Sequence, residues 1–486
     1  MNYFSIDAII VYAFLLITLV VGLWAGRNVK TIQEYAIANR AYGTGILTMT
    51  MLATFITGSQ AIGYVGYVFD DGILPLISIF FCGVVICFFF IARYIAPNII
   101  YFEGCLTMAE VMGKLYGNNV RIWIGILGTF YCIVMVTLQI IWLGYIGDLL
   151  NIPSELSITL GGLFLIIYST RGGMKAVAIT DILQFIAITI LVPLTANLLL
   201  VKTGGIQNIV TQVPINNFNI VHHPSLKDYV VYCIWGLFPA FLVSFPFMQR
   251  MLMAKDKRQI AKSQYAGILY LAWFYIFLTL IGLAAIALKT NGDSNMPQQG
   301  SKVFIYLVKN YFPIGIKGIV GMGLLAAVMS TADSFLHSAG ILIIHDVIQP
   351  LRVRSKSSVD SLRSTQYATL LFGLIALSIA LTYKILPRIQ YGGVDLGKGI
   401  NIGIDFVAIV FTIPLIAGIM GLKTDAKSFF ISFGVTVISF FVGKLFLSDL
   451  LFIPFNILMN AISFFGAHLI KNRKFVTVKR DFKVLA

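Results

Sequence analysis

The chain has 486 residues, of which 58% are hydrophobic and only 11% are charged. A soluble domain typically has about 25% charged residues, because its surface must be hydrated. The composition therefore excludes an ordinary soluble domain and indicates an integral membrane protein. Apolar stretches of about 20 residues recur along the chain, and each is long enough to cross a hydrocarbon core about 30 Å thick. Since lipid offers the backbone no hydrogen bonds, the predicted fold class is all-α.

Thirteen membrane-spanning helices are predicted in chain order. The first is interpreted as a retained span and not a signal peptide, because no basic segment precedes it and no small-residue cleavage site follows it. The predicted spans are 5–24, 46–70, 73–96, 122–147, 156–170, 179–201, 229–252, 264–288, 315–345, 366–386, 400–421, 427–447 and 450–470.

The basic residues are distributed unevenly between alternate loops. One set of alternate loops, counted with their flanking residues and the C-terminal tail 471–486, holds 25 of the 35 lysines and arginines. The positive-inside rule then places the N-terminus outside and the C-terminus in the cytoplasm, in an inner or plasma membrane. The net charge of +15 is thus explained by topology and by attraction to the lipid bilayer, and no nucleic-acid partner is expected.

The second span is polar at its centre, where Thr57, Gly58, Ser59 and Gln60 follow one another. Small residues of this kind can serve close helix packing. They are also typical of a discontinuous helix, whose freed carbonyls bind a cation and whose half-helix ends face a substrate. Both interpretations remain open at this point.

The ninth span carries a stripe of hydroxyls. Ala327, Ser330, Thr331 and Ser334 are spaced at i, i+3, i+4 and i+7, so they share one helix face. Hydroxyl and carbonyl oxygens suit a hard cation, although hydroxyls also bond back to their own helix. Asp333 lies in the same span, where a carboxylate is costly and usually functional or paired.

Three further titratable residues lie within or beside the spans. His337, one turn from Asp333, is a possible partner for it. Asp181 follows a cytoplasmic loop and is expected either to pair with Arg171 or Lys175 or to act as a cation ligand or gate residue. Asp405, near the outer interface, is a weaker candidate for a functional role.

Several activities have no motif in the chain. There is no G-x-x-x-x-G-K-[ST] sequence, so neither a nucleotide partner nor direct drive by ATP is expected. No nucleophile and base pattern and no metal-ligand spacing of an enzyme is visible, so no enzymatic activity is predicted. The prediction is a secondary transporter for a small-molecule solute.

Three motifs, taken in order and on the appropriate spans, resemble the sodium:solute symporter family, which contains proline, pantothenate, sialic acid and sugar symporters. The similarity extends along nearly the whole chain. The stretches that carry it are Ser169 to Ala176 with Thr180, Asp181 and Gln184; Ala326 to Ser334; and Gln249-Arg250 with Ala254, Lys255 and Asp256.

The resemblance implies a single transporter domain whose core resembles that of amino-acid and neurotransmitter symporters, with two inverted five-helix repeats. The first repeat would span 46–201 and the second 229–421, each beginning with a broken helix. An extra helix, 5–24, would precede them, and two peripheral helices, 427–470, would follow. Pro239 and Pro246 would interrupt the backbone hydrogen bonds of span seven.

The resemblance also implies the site residues. The main Na⁺ site would use the carbonyls of Ala53, Ile56 and Ala327 and the hydroxyls of Ser330 and Thr331. A second Na⁺ site would use Asp181, Ser330 and Ser334, with Asp333 at a position where the family usually has a hydroxyl. The solute pocket would be bordered by Thr57, Ser59, Gln60, Gln139, Trp142, Phe241 and Ser244.

The leading hypothesis is sodium-coupled symport by alternating access. An apolar, aromatic pocket favours a proline-, betaine- or choline-like zwitterion or cation. One alternative is proton-coupled symport of a sugar or carboxylate through Asp333 and His337, since histidine titrates near neutrality. Another alternative is a nutrient sensor built on a transporter fold.

Overall fold

The computed structural model describes residues 5–353, 361–385 and 396–472, without the side chains of Ser59, Val353 and residues 384–385 and 396–402. The described residues form helices and connecting loops, with no β-strand among them. The tail 473–486, and with it most of the predicted cytoplasmic tail, lies outside the described residues.

Eighteen helices of six or more residues are described, and each predicted span coincides with one of them, with part of one or with a bent pair, with ends that differ by up to seven residues. They are α1 Ile6–Gly26, α2 Ile32–Ile37, α3 Thr44–Phe55, α4 Gly58–Asp71, α5 Leu76–Phe102, α6 Met108–Tyr116, α7 Asn118–Leu149, α8 Ser154–Thr203, α9 Ile206–Gln212, α10 Leu226–Leu242, α11 Phe245–Leu252, α12 Lys257–Thr290, α13 Gly300–Tyr311, α14 Ile316–Arg352, α15 Ser361–Ile385, α16 Leu396–Ile419, α17 Ala426–Phe446 and α18 Asp449–Asn472.

Nine of the described helices are long and apolar enough to cross a membrane, and the count is eleven when two bent pairs are each taken as one span. A total of thirteen requires that α8 be counted twice and that α16 be included. The all-helical membrane fold is therefore confirmed, while the number thirteen and the division into two inverted repeats stay predictions.

The 50-residue helix α8 folds back on itself at Gly173, whose φ of 55° and ψ of −162° are not helical. Gly161, before this point, lines a small cavity together with Leu325 of α14. Leu191, after it, packs so closely on α14 that a Cβ at Gly323 would lie 2.6 Å from the Leu191 Cβ. Both arms therefore pass the same turns of α14, in agreement with the separate predicted spans 156–170 and 179–201.

The two spans predicted to be broken are bent. The axes of α3 and α4 differ by 58°, and those of α10 and α11 by 52°. Ile56 and Thr57 have extended backbone at the first break. The Thr57 hydroxyl caps α4 by accepting a hydrogen bond from the backbone N–H of Gln60 at 3.0 Å. At the second break, Ser244 is extended and Pro246 stands in the first turn of α11, whereas Pro239 lies within α10.

Helix α14 lies at the centre of the bundle, and from Gly323 to Ile341 each of its residues is buried. At one end of the bundle, predicted from the sequence to be cytoplasmic, the short helix α2 inserts Tyr35 between the bend of α8 and α14. The Tyr35 hydroxyl donates to the Thr170 carbonyl at 3.2 Å, and its ring lies 4.9 Å from the His337 ring. Through Tyr35, helix α2 thus covers this end of α8 and α14.

Gly173→Ala is expected to lower the thermal stability of the detergent-solubilised protein by several degrees. An L side chain is strained at this φ, and its Cβ would lie 2.5 Å from the Tyr35 ring, which together should cost about 2 kcal/mol or more. Gly434→Ala, at a helical site with no neighbour within 4 Å, is the control and should leave the melting temperature unchanged or raised. Equal melting temperatures for the two variants would contradict the proposed hairpin at Gly173.

Candidate functional site

The break between α3 and α4 faces the hydroxyl stripe of α14. Ser330 Oγ lies 2.8 Å from the Ala53 carbonyl oxygen, on the other side of this interface, and 3.2 Å from the Ala327 carbonyl in its own helix. All three residues are fully buried. The serine therefore joins the two helices instead of bonding only to its own turn.

Thr331 extends the same contact towards the break. Its Oγ1 lies 3.3 Å from the Thr54 carbonyl oxygen, 3.5 Å from that of Ile56 and 3.2 Å from that of Ala327. A hydroxyl has one proton and can donate to only one of these oxygens at a time. The five residues predicted for the main sodium site are thus together in one buried place, and Thr54 supplies a further carbonyl.

These oxygens are uncharged and hard. They come from two parts of the chain that are far apart in the sequence, the end of α3 with the break that follows it and the middle of α14. Such a donor set fits Na⁺, which needs oxygen ligands and only modest local charge. The residues would hold the ion between the end of α3 and the middle of α14, so that the bound ion would link the two helices.

A buried ion pair lies beside this place. Arg250 Nη2 donates to Asp181 Oδ2 at 2.9 Å, and both side chains are fully buried. Thr50 completes the contact, since its hydroxyl bonds to the same carboxylate and accepts from Arg250 Nε at 2.8 Å. Breaking such a pair on one side leaves an uncompensated buried charge, which typically costs about 3–5 kcal/mol.

The residues predicted for a second sodium site do come together, but Arg250 lies among them. Its Nη2 also donates to Ser334 Oγ at 2.7 Å, and Ser334 lies 3.2 Å from Asp333 Oδ1. In this arrangement the guanidinium satisfies two of the oxygens that a second Na⁺ would need. Asp333 accepts a hydrogen bond from the Tyr168 hydroxyl at 2.9 Å.

Two pairings that the sequence made possible are not found in the structure. His337, a possible partner of Asp333, has its Nε2 2.8 Å from the Tyr35 carbonyl oxygen, and its Nδ1 has no partner. Asp181 pairs with Arg250 and not with Lys175, which bonds to Glu34, and its alternative role as a cation ligand or gate residue stays a prediction. In both cases the buried side chain takes its partner from another helix and not from a residue nearby in the sequence.

Most residues predicted for the solute pocket lie around the two breaks. A Cβ at Gly58 would lie 3.7 Å from Gln139 Oε1 and from the Trp142 Cβ, so both side chains border the first break. The Phe241 ring is 4.6 Å from that of Phe55, the last residue of α3. Ser244 lies in the second break, directly before α11, while the side chain of Ser59 lies outside the described part of the structure.

Two of these residues have further features that bear on binding. The side chain of Gln60 bonds to the Thr57 backbone N–H at 3.3 Å, so its oxygen serves the cap of α4. Gln139 Oε1, in contrast, is buried without a hydrogen-bond partner. A buried polar atom without a partner is costly, so this oxygen is an acceptor available to a ligand.

The sequence interpretation missed Arg250, Thr50 and Tyr168. A signal was available for Arg250, because an arginine inside an apolar span is expected to be paired and functional. No comparable signal exists for Thr50 and Tyr168, whose hydroxyls matter only through contacts with other helices. Asp405, the weaker candidate, is half-buried in α16 and makes no contact with this group of residues.

Comparison with known proteins places the chain among transporters. Residues 4–389 match the profile of the Sodium:solute symporter family, and the chain belongs to that family, whose members are multi-pass membrane transporters that use Na⁺. It is similar to the sodium/glucose cotransporter of Vibrio parahaemolyticus, with 25% identity over 70% of this chain and 68% of that one. It is also similar to the sodium/proline symporter of Salmonella typhimurium, with 21% identity over 80% and 79% of the two chains.

Solved structures show the same fold. A Na⁺-coupled sialic acid symporter in a substrate-bound outward-open state superposes with a TM-score of 0.82 over 97% of this chain and 98% of that one, at 17% identity. The nucleobase-cation-symport transporter Mhp1 superposes with a TM-score of 0.60 over 91% and 95% of the two chains, at 13% identity.

Arg250→Met should strongly destabilise the protein because it leaves Asp181 charged and buried, at a cost of about 3–5 kcal/mol. Adding Asp181→Asn removes that charge, so the double variant should melt at a higher temperature than Arg250→Met alone. Thermal melts of the two single variants and the double variant give the coupling between the residues. Additive losses would mean that the pair does not interact as the distances indicate.

Proposed function

We propose that this protein couples the inward movement of Na⁺ to uptake of a small organic solute by alternating access. The main support for the proposal is the contact between the backbone carbonyls at the α3–α4 break and the hydroxyls of Ser330 and Thr331 on α14. Under this proposal Ala53, Ile56, Ala327, Ser330 and Thr331 bind the ion. We also propose a plasma-membrane location with the N-terminus outside and the C-terminus in the cytoplasm.

The coupling follows from which helices the ion would join. With Na⁺ between α3 and α14, the break is held in one geometry and the half-helix end at Thr57 faces the pocket. When the two helices separate, the ligand set is divided and the ion and solute lose their sites together. Linkage requires that Na⁺ tighten solute binding by the same factor as solute tightens Na⁺ binding.

Release to the cytoplasm would require the closure on that side to open. The Arg40 Nε donates to the Ala254 carbonyl at 2.7 Å, and Gln249 Nε2 donates to the Ala36 carbonyl at 2.9 Å. Lys175 bonds to Glu34 and holds the pKa of that carboxyl below its usual value. These contacts join α2 and its neighbouring loop to α8 and α11, so they would break as the inner side opens.

For the solute we propose a compact zwitterion such as proline or a betaine. The surfaces around the breaks are mainly aromatic, with Phe55, Phe241 and Trp142, and aromatic faces attract an ammonium group. Gln139 offers a free acceptor for an N–H or O–H donor. Proton drive through Asp333 and His337 is less well supported, because these two residues are not paired.

Replacing the two hydroxyls of α14 should weaken sodium binding. In proteoliposomes, Ser330→Ala and Thr331→Ala are each expected to raise the Na⁺ concentration for half-maximal uptake at least tenfold, equivalent to about 1.4 kcal/mol. Thr195→Ala is the matched control, because Thr195 is buried but bonds only to the Leu191 carbonyl of its own helix. If the Na⁺ dependence of both variants stays that of the wild type, the assigned ligands are wrong.

A solute should raise the melting temperature much more when Na⁺ is present. We expect L-proline or glycine betaine to stabilise the purified protein further in NaCl than in KCl, by about 2.7 kcal/mol at a concentration a hundred times the Kd of the Na⁺-dependent site. Choline and D-glucose serve as comparison solutes, and Trp142→Ala should abolish the shift. Stabilisation of equal size in KCl would contradict sodium coupling.

A further inference from the structure

A cavity larger than the one beside α14 lies apart from the two breaks, between the outer end of α7 and helix α13. Its volume is about 680 Å³, within the range of roughly 300–1,000 Å³ that is usual for sites of small ligands. Its lining is contributed mainly by Tyr145 and Asp148 on α7 and by Lys302, Tyr306 and Lys309 on α13.

The lysines of this cavity are unusual for their place in the chain. Outer loops of membrane proteins carry few basic residues, yet the outer stretch 289–317 contains four lysines and a single acidic residue, Asp293. Lys302 and Lys309 are seven residues apart, two helical turns, and so lie on one face of α13. Lys317 adds a third charge nearby, since its Nζ donates to the Lys309 carbonyl at 2.6 Å.

The carboxylates near these lysines are hydrogen-bonded to hydroxyl groups and form no ion pair with Lys302 or Lys309 among the described residues. Asp293 accepts hydrogen bonds from the hydroxyls of Tyr306 and Tyr311. Asp148 Oδ1 accepts from the Ser154 hydroxyl at 2.6 Å. Among the described residues, no ion pair is formed by Lys302 or Lys309.

The cavity also offers a surface for a positive group. Tyr145 and Tyr306 present aromatic rings in the lining, and Asp148 contributes a carboxylate beside Tyr145. The lining therefore has an anion-binding side on α13 and a cation-binding side on α7. A zwitterion presents both charges within a few ångströms, and neither a sugar nor choline does so.

The cavity is linked to the proposed transport site along α7. The Tyr145 ring lies 4.8 Å from that of Trp142, and Trp142 in turn borders Gly58 at the first break. Gln139, Trp142 and Tyr145 are spaced three residues apart, so they form a continuous row from the break to the cavity. Helix α13 itself packs on α4, where Gly300 meets Gly66.

We infer that this cavity is an outer binding site for zwitterionic solutes, in which Lys302 and Lys309 bind the carboxylate before the solute passes Trp142. The inference rests on the proposed function, because an outer site precedes transport only if the solute is taken up from outside. It restricts the proposed solutes to those that have a carboxylate. Fixed charge of one sign at the mouth of a cleft also raises the local solute concentration and the rate of encounter.

Glycine betaine and choline form a matched pair of probes, because they differ only in carboxylate against hydroxymethyl. Their binding to the Ser330→Ala protein is measured by saturation-transfer NMR in KCl and neutral detergent. Under these conditions sodium-linked binding at the breaks is weak, and no anionic lipid is available to the lysines. Glycine betaine should bind at least fivefold more tightly than choline, and its binding should weaken as ionic strength rises.

The double variant Lys302→Gln, Lys309→Gln should lose at least fivefold in affinity for glycine betaine, with choline binding unchanged. Lys202→Gln, an exposed lysine at the outer end of α8, is the control for overall charge and should bind glycine betaine as the parent does. Size-exclusion elution of each variant shows that it is folded.

Equal binding of the two probes, or glycine betaine affinity that is unaffected by the double variant, would overturn the inference. The same holds if the lysines affect binding only when anionic lipid is added, which would assign them to lipid headgroups. None of these results depends on the Na⁺ dependence of uptake, so the outer site and the proposed symport can fail separately.

Discussion

The contact between the broken helix α3–α4 and the hydroxyl face of α14 is the interaction on which the rest of the arrangement depends. A helix that stops in the middle of a membrane leaves carbonyl oxygens with no partner in lipid, and each such group is costly. Ser330 and Thr331 lie within hydrogen-bond distance of three of them, those of Ala53, Thr54 and Ile56. The site that suits a cation is therefore also the place where the break is stabilised, which explains why α14 is buried throughout this region.

A fully buried group of charged residues lies beside this contact. Arg250 and Asp181 neutralise each other, and Thr50, Ser334 and Tyr168 supply the hydrogen bonds that buried charges require. Arg250 belongs to α11, Asp181 to α8 and Asp333 to α14, so the group joins three helices. Under the proposed alternating access, these helices would move relative to one another. It holds the helices in register in the present arrangement, and Arg250 satisfies oxygens that a further cation would otherwise bind.

The two ends of the bundle differ in how they are closed. At the end predicted to be cytoplasmic, α2 contributes the fully buried Tyr35 and joins the bend of α8 to α14. At the end predicted to face outwards, a cavity of about 680 Å³ opens beside α13, and its lining includes lysines, tyrosines and one aspartate. The cavity that we infer to be an entrance for the solute therefore lies at the end opposite to the one covered by α2.

The sequence by itself determined the membrane fold, the position of the broken helices and the hydroxyl face of α14, because each depends on hydrophobicity and on residue spacing within one helix. The family assignment from three short motifs was also confirmed. The partners of the buried charges were decided only by the tertiary structure. Asp181 meets Arg250, 69 residues away, and His337 meets Tyr35, 302 residues away. Helical periodicity tells which side chains share a face, but it contains no information on which other helix will pack against that face, and the low dielectric of the interior makes that choice decisive for every charged group.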